Sequence, residues 1–163
     1  MPINFFTQDI KFTPKNKTAL RKWLHGVTKK ETATIAELNY IFCSDEYLLE
    51  LNKKHLNHNT LTDIITFDNS VHGQQSPVHR KKTANSKPWT VDRGLSTISG
   101  DIFISIPRVK ENAKKYDVTF QHELHRVMVH GLLHLLGYKD KKPAHKKEMT
   151  AKEDYYLRQI SSI

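Results

Sequence analysis

Apolar residues along this chain recur in two rhythms, one alternating with polar neighbours and one returning every three or four positions. The first marks a half-buried strand, the second one face of a helix. Ile3, Phe5, Phe6, Ile10 and Phe12 predict a first strand over residues 3–12, imperfect in its alternation and closed by Pro14. Leu20, Trp23, Leu24 and Val27 predict a helix over residues 15–29. Ile35, Leu38, Tyr40 and Phe42 interleave with polar positions and predict a second strand over residues 33–43. Ser44 or Asp45 can cap a helix with Leu48, Leu49, Leu51 and Leu56 on its apolar side, ending near Asn57. Residues 63–67 and 100–105 predict two further strands. Pro107 suits the first position of a short helix that reaches about Tyr116. Asp117 or Thr119 caps a long helix ending near Leu136, apolar over most of its circumference and therefore buried. Pro143 admits a last helix over residues 144–160, with Met149, Tyr156, Leu157 and Ile160 turned inward.

Strands interleaved with helices, then a helical C-terminal third, predict an α+β fold: a small mixed four-stranded sheet covered by helices. The order of the strands is not contained in the pattern. With no internal repeat and no second core, residues 1–163 read as a single domain.

Residues 69–98 break both rhythms and are rich in Ser, Gln, Lys, His and Pro. Arg80, Lys81, Lys82, Lys87 and Arg93 against Asp92 give this stretch four of the chain's nine net positive charges. It reads as a polar basic insertion, either a solvated flexible loop or an arm for nucleic acid with Trp89 available for stacking. The net charge of +9 biases the whole chain toward polyanions. No apolar run approaches a membrane span, and Met1-Pro-Ile-Asn-Phe-Phe lacks the basic and apolar regions of a secretion signal. The single cysteine, Cys43, has no internal partner and lies in a strand-like run. A cytoplasmic protein with Cys43 in its core is expected.

The chemistry concentrates between Val127 and Asp140. His130 and His134 stand four apart, so a helix presents both imidazoles on one face. Gly137 then ends the helix, because glycine takes the left-handed C′ conformation without steric cost. Asp140 follows on the reversed chain. Two histidines and a carboxylate are three ligands for one zinc ion with a position left for water. His145 is a rival third ligand, ranked below Asp140. His25, His55, His58, His72, His79, His122 and His125 carry no metal expectation, and His122 is expected at the surface. The frame matches the zinc-protease pattern His-Glu-x-x-His-x-x-Gly-x-x-His in spacing, but Gly131 replaces the general-base Glu and Asp140 the last His. A metalloprotease is therefore disfavoured. Asp63 and Asp101 flank strands, where local turn or cap hydrogen bonding is the first expectation. Support of a ligand histidine or proton transfer is the second.

The block His130-Gly-x-Leu-His134-Leu-x-Gly137-Tyr138 resembles the signature of the YbeY family of bacterial rRNA-maturation endoribonucleases. Leu51-Asn52, Thr62-Asp63-Ile-Ile-Thr-Phe67 and Gly100-Asp101-Ile-Phe-Ile-Ser105 are similar to other blocks of that family, and Glu123-Leu124, Arg126 and Met149 sit at familiar offsets. The likeness covers most of the chain except residues 69–98. It implies a single-strand-specific endoribonuclease acting in 16S rRNA 3′-end maturation and ribosome quality control. It also implies zinc held by His130, His134 and Asp140, and a partner in 16S rRNA or its precursor on the small ribosomal subunit. Asp140 stands where the family usually has His, which admits other divalent transition metals. Leu56 stands where the family has an arginine, so that role passes to a neighbour such as Lys54, His55 or His58, or is vacant. A non-catalytic ribosome-assembly factor with a structural metal is the alternative function. Oligomeric state is not legible.

Overall fold

The computed structural model describes residues 2–70 and 96–161. Its elements are β1 (Ile3–Thr7), α1 (Lys17–Lys30), β2 (Ala33–Cys43), α2 (Asp45–Leu56), β3 (Ile64–Asp68), β4 (Ser96–Ser105), α3 (Ile106–Lys115), α4 (Phe120–Leu135) and α5 (Pro143–Ile160). The fold is α+β, with a four-stranded sheet in the order β1-β2-β4-β3. β1 and β4 run parallel to β2, and β3 runs antiparallel to β4, so the sheet is mixed as expected.

Alternation divides the sheet between two cores. Leu38, Tyr40, Phe42, Ile102 and Ile104 join Leu24, Val27, Leu124, Met128 and Leu132 from the helices in one buried cluster. Cys43, Leu48 and Ile65 form a smaller cluster, with Tyr47, Leu51, Phe67 and Phe103 packed against it. Cys43 is fully buried, which agrees with its expected place. Ser44, Ser105 and Thr119 cap α2, α3 and α4 through their side-chain oxygens, so Thr119 rather than Asp117 starts the long helix.

Two boundaries differ from the pattern. β1 stops at Thr7, because Asp9 takes a left-handed conformation (φ 40°). Its carboxylate then accepts from the Ser44 amide at 3.1 Å, and Ile10 and Phe12 pack on the core outside any strand. β4 begins at Ser96, four residues before its predicted start and inside the stretch read as insertion. Ile98 is the apolar anchor there, and Thr97 meets Thr34 at 3.1 Å across the strands. Residues 71–95 of that insertion, with Trp89 and all of its charges, lie outside the described residues.

α1 is fastened to α5 by Trp23, whose indole donates to the Tyr156 carbonyl at 2.9 Å. His125 of α4 lies against the same indole, ring centroids 5.8 Å apart. Burial, helped by the nearby His122, pushes the His125 imidazole down to about 4. Below its ordinary value of about 6.5 the unfolded chain binds this proton while the fold refuses it, so stability falls as pH drops from about 6.5 toward 4. His125→Phe keeps a ring and removes the proton. Urea titrations at about pH 7 and about pH 5 should show the wild type losing roughly 1 kcal/mol more than His125→Phe, a figure reduced for partial exposure. Equal losses would show that this imidazole does not set the acid limb.

Candidate metal centre

α4 crosses the sheet over β3 and β4, and its last two turns carry the histidines. A Schellman turn ends it. The Tyr138 amide donates to the Leu133 carbonyl and the Gly137 amide to the His134 carbonyl, each at 3.0 Å. Gly137 takes φ +100°, which a side chain would strain. The chain reverses there and brings Asp140 back over the histidines. The Oδ2 atom of Asp140 lies 3.4 Å from His130 Nε2 and 3.3 Å from His134 Nε2, and the two nitrogens are 3.0 Å apart. These are the three residues expected to share one ion. His145 is not among the group whose donor atoms converge. His122 is exposed, as expected.

Hydrogen bonding on the far side of each ring fixes which nitrogen faces the centre. His134 Nδ1 lies 3.0 Å from the Tyr138 carbonyl oxygen, which can only accept, so Nδ1 carries the proton. His130 Nδ1 lies 2.5 Å from Glu153 Oε1 on α5, and that carboxylate accepts in the same way. With each ring neutral, both Nε2 atoms present lone pairs to each other and to the Asp140 oxygen. Three acceptors this close repel unless a cation lies between them. A tetrahedral ion with bonds of about 2.0–2.1 Å separates its ligands by about 3.3–3.4 Å, so the spacing and chemistry of the donors fit such an ion.

Glu153 is a functional residue that pattern reading missed. It is buried, and Arg126 holds it through Oε2 at 3.6 Å while pairing with the buried Glu123 at 2.5 Å. The Glu123 carboxylate keeps the Arg126 guanidinium firmly charged. The signal was present: Glu153 falls between Met149 and Tyr156 on the inward stripe of α5, where an unpartnered acid is costly. Glu153→Gln should weaken metal binding by about 10- to 100-fold, since a neutral amide holds the His130 tautomer less firmly. Competition against a chromogenic chelator measures this, and unchanged affinity would remove Glu153 from the site.

The histidines open onto a cleft of about 710 Å³ between α4, β3 and the segment after α2. Leu56 and His58 line it, whereas Lys54 and His55 are not among its lining residues; His55 packs edge-on against Phe67. Buried Asn52 braces this wall by donating to the Thr60 carbonyl at 2.8 Å.

Asp63 also lines the cleft, and its side chain accepts from Asn112 on α3 at 3.4 Å, in addition to the expected local bond with its own backbone. Burial raises its pKa, against the opposing pull of Arg126 and His130. Asp101 is likewise bound across strands. It accepts from Asn39 and from Asn69, each at 2.9 Å, and Asn4 donates to Asn39 at 2.9 Å, so a polar ladder crosses the sheet.

The sequence profile described as endoribonuclease YbeY matches residues 2–161. The chain belongs to the YbeY family. It is 48% identical over 156 residues to endoribonuclease YbeY of Cytophaga hutchinsonii, covering 95% of this chain and 93% of that protein. It is 42% identical over 149 residues to the Flavobacterium johnsoniae YbeY, covering 91% of each. Among solved structures, a Thermotoga maritima protein determined in solution superposes with a TM-score of 0.57 at 24% identity, over 98% of this chain and 89% of that one. This last likeness concerns the fold alone. Metal, substrate and ligand set are thus questions about a YbeY protein whose third ligand candidate is an aspartate.

Proposed function

We propose that this YbeY protein is a metal-dependent endoribonuclease that cuts single-stranded RNA, acting in 3′-end maturation of 16S rRNA on the small ribosomal subunit and in ribosome quality control. The observation that carries the reading is the convergence of two imidazole nitrogens and a carboxylate at cation-sized spacing, in a family named for endoribonucleases. One zinc ion is the proposed occupant, held by His130, His134 and Asp140. The aspartate oxygen also admits another divalent transition metal. A bound ion of this kind supplies Lewis acidity toward a phosphate oxygen and eases loss of a proton from water.

The remaining work falls to the chain. Glu153 and the Tyr138 carbonyl hold the imidazoles in the ligating tautomer. Asp63, a non-ligand carboxyl in the cleft with a raised pKa, is placed to move a proton. A cytoplasmic setting agrees with Cys43, a buried thiol pushed up to about 12 by burial. Among the described residues no helix is long and apolar enough to cross a membrane.

One observation favours the second reading, a non-catalytic assembly factor with a structural metal. Leu56, at the family's arginine position, faces the cleft with no charge to offer a phosphate. Incubating wild type and His130→Ala with single-stranded and duplex RNA separates the two. Cleavage of the single strand by wild type alone is the expected result. Equal cleavage by both proteins would mean a contaminating nuclease and favour the assembly factor. A 2′,3′-cyclic phosphate on the product would identify the neighbouring 2′-hydroxyl as the attacking group.

A further inference from the structure

The residues on either side of Asp140 are strongly basic. Lys139, Lys141, Lys142, Lys146 and Lys147 fall within nine positions, all exposed, and none enters an ion pair among the described residues. Lys141 lines the metal cleft beside Asp140 and is the only lysine or arginine among the described lining residues. Lys142 precedes the first residue of α5, and the Lys146 amide donates to its carbonyl at 2.9 Å. Lys146 stands seven residues before Glu153, two turns up the helical face that meets His130 and about 10 Å along the axis. The opposite wall, β3 and the residue before it, carries Asp63 and Asp68 instead. The lysines also crowd the positive end of α5, whose first turn holds no acidic residue. That arrangement repels itself until an anion arrives.

We propose that Lys141, Lys142 and Lys146 form a track for the sugar-phosphate backbone of single-stranded RNA, leading the strand to the metal centre along the α5 side of the cleft. The proposal rests on the endoribonuclease reading and adds the path of the substrate. An acidic protein surface would suit the same charges. RNA is favoured because the cluster reaches the cleft itself, where Lys141 stands beside Asp140 among the lining residues.

Binding of a fluorescent 2′-O-methyl oligouridylate to the full-length protein, measured across a salt series, tests the track. Each lost phosphate contact takes about 0.7 from the slope of log affinity against log salt. The variant Lys141→Ala/Lys142→Ala/Lys146→Ala should therefore bind more weakly with a slope shallower by about 2. The corresponding triple arginine variant should keep the wild-type slope. Lys15→Ala/Lys22→Ala/Lys29→Ala removes as many charges at and along α1, away from the cleft, and should leave the slope nearly intact. An unchanged slope in the first variant, or an equal fall in the α1 variant, overturns the track while leaving the endoribonuclease reading standing. Failure of the wild type to bind the oligonucleotide at low salt overturns both.

Discussion

Replacing His134 with alanine is expected to lower zinc affinity by about a hundred- to a thousandfold, because one of the three proposed ligands is lost and structural zinc sites bind with about 10–16 kcal/mol shared among four. The two remaining donors, His130 and Asp140, are 3.4 Å apart and offer only two of the three bonds. Elemental analysis after dialysis should find metal in the wild type and none in His134→Ala. Heat denaturation offers an independent reading. A ligand bound only by the folded state raises its stability with concentration, so added zinc should raise the wild-type Tm and a chelator lower it. His134→Ala should respond to neither. A variant that keeps its metal at wild-type stoichiometry would defeat the three-residue site.

The second large effect concerns the glycine between the histidines. Gly131 is buried, and a Cβ there would sit 2.8 Å from Ile64 Cδ1 and 2.9 Å from Ile102 Cγ2. The helix lies this close to the sheet because position 131 has no side chain. Gly131→Ala should gain about 1 kcal/mol in helix propensity and lose about 1–3 kcal/mol to overpacking, a small net loss. Gly131→Glu pushes a carboxylate into an apolar contact with no partner, at a cost of several kcal/mol that rivals the whole stability of a domain. It should fail to fold, with no cooperative transition by calorimetry or circular dichroism. A folded Gly131→Glu with a near-wild-type Tm would mean that position 131 has room for a base after all.

That position shows where reading the sequence succeeds and where it stops. Lack of a carboxylate at 131 is legible and removes the protease base; the reason for a glycine is not, since Ile64 and Ile102 come from strands 67 and 29 residues away. Element order, the Thr119 region and the pair of histidines were legible because each depends on local spacing. The sheet order β1-β2-β4-β3 was not, because two parallel neighbours of β2 leave no mark on β2 itself. Asp63 and Asp101 read as strand-flanking acids with local bonds, yet Asn112 lies 49 positions from Asp63, and Asn39 and Asn69 lie 62 and 32 positions from Asp101. Glu153 announced itself only as an acid on an apolar stripe, and its partner His130 emerges once α5 is laid against α4.

This dependence on α5 has a consequence in time. All three ligand candidates lie within eleven residues of one another, between His130 and Asp140, but the carboxylate that fixes the His130 ring arrives thirteen residues later, on the last helix. Trp23 and α1 must already be in place to receive that helix. A growing chain that has made its histidines but not yet docked α5 holds an incompletely aligned site. On the proposed metal-dependent function, cleavage competence is therefore among the last properties the folding chain acquires, and a half-made copy is a poor nuclease.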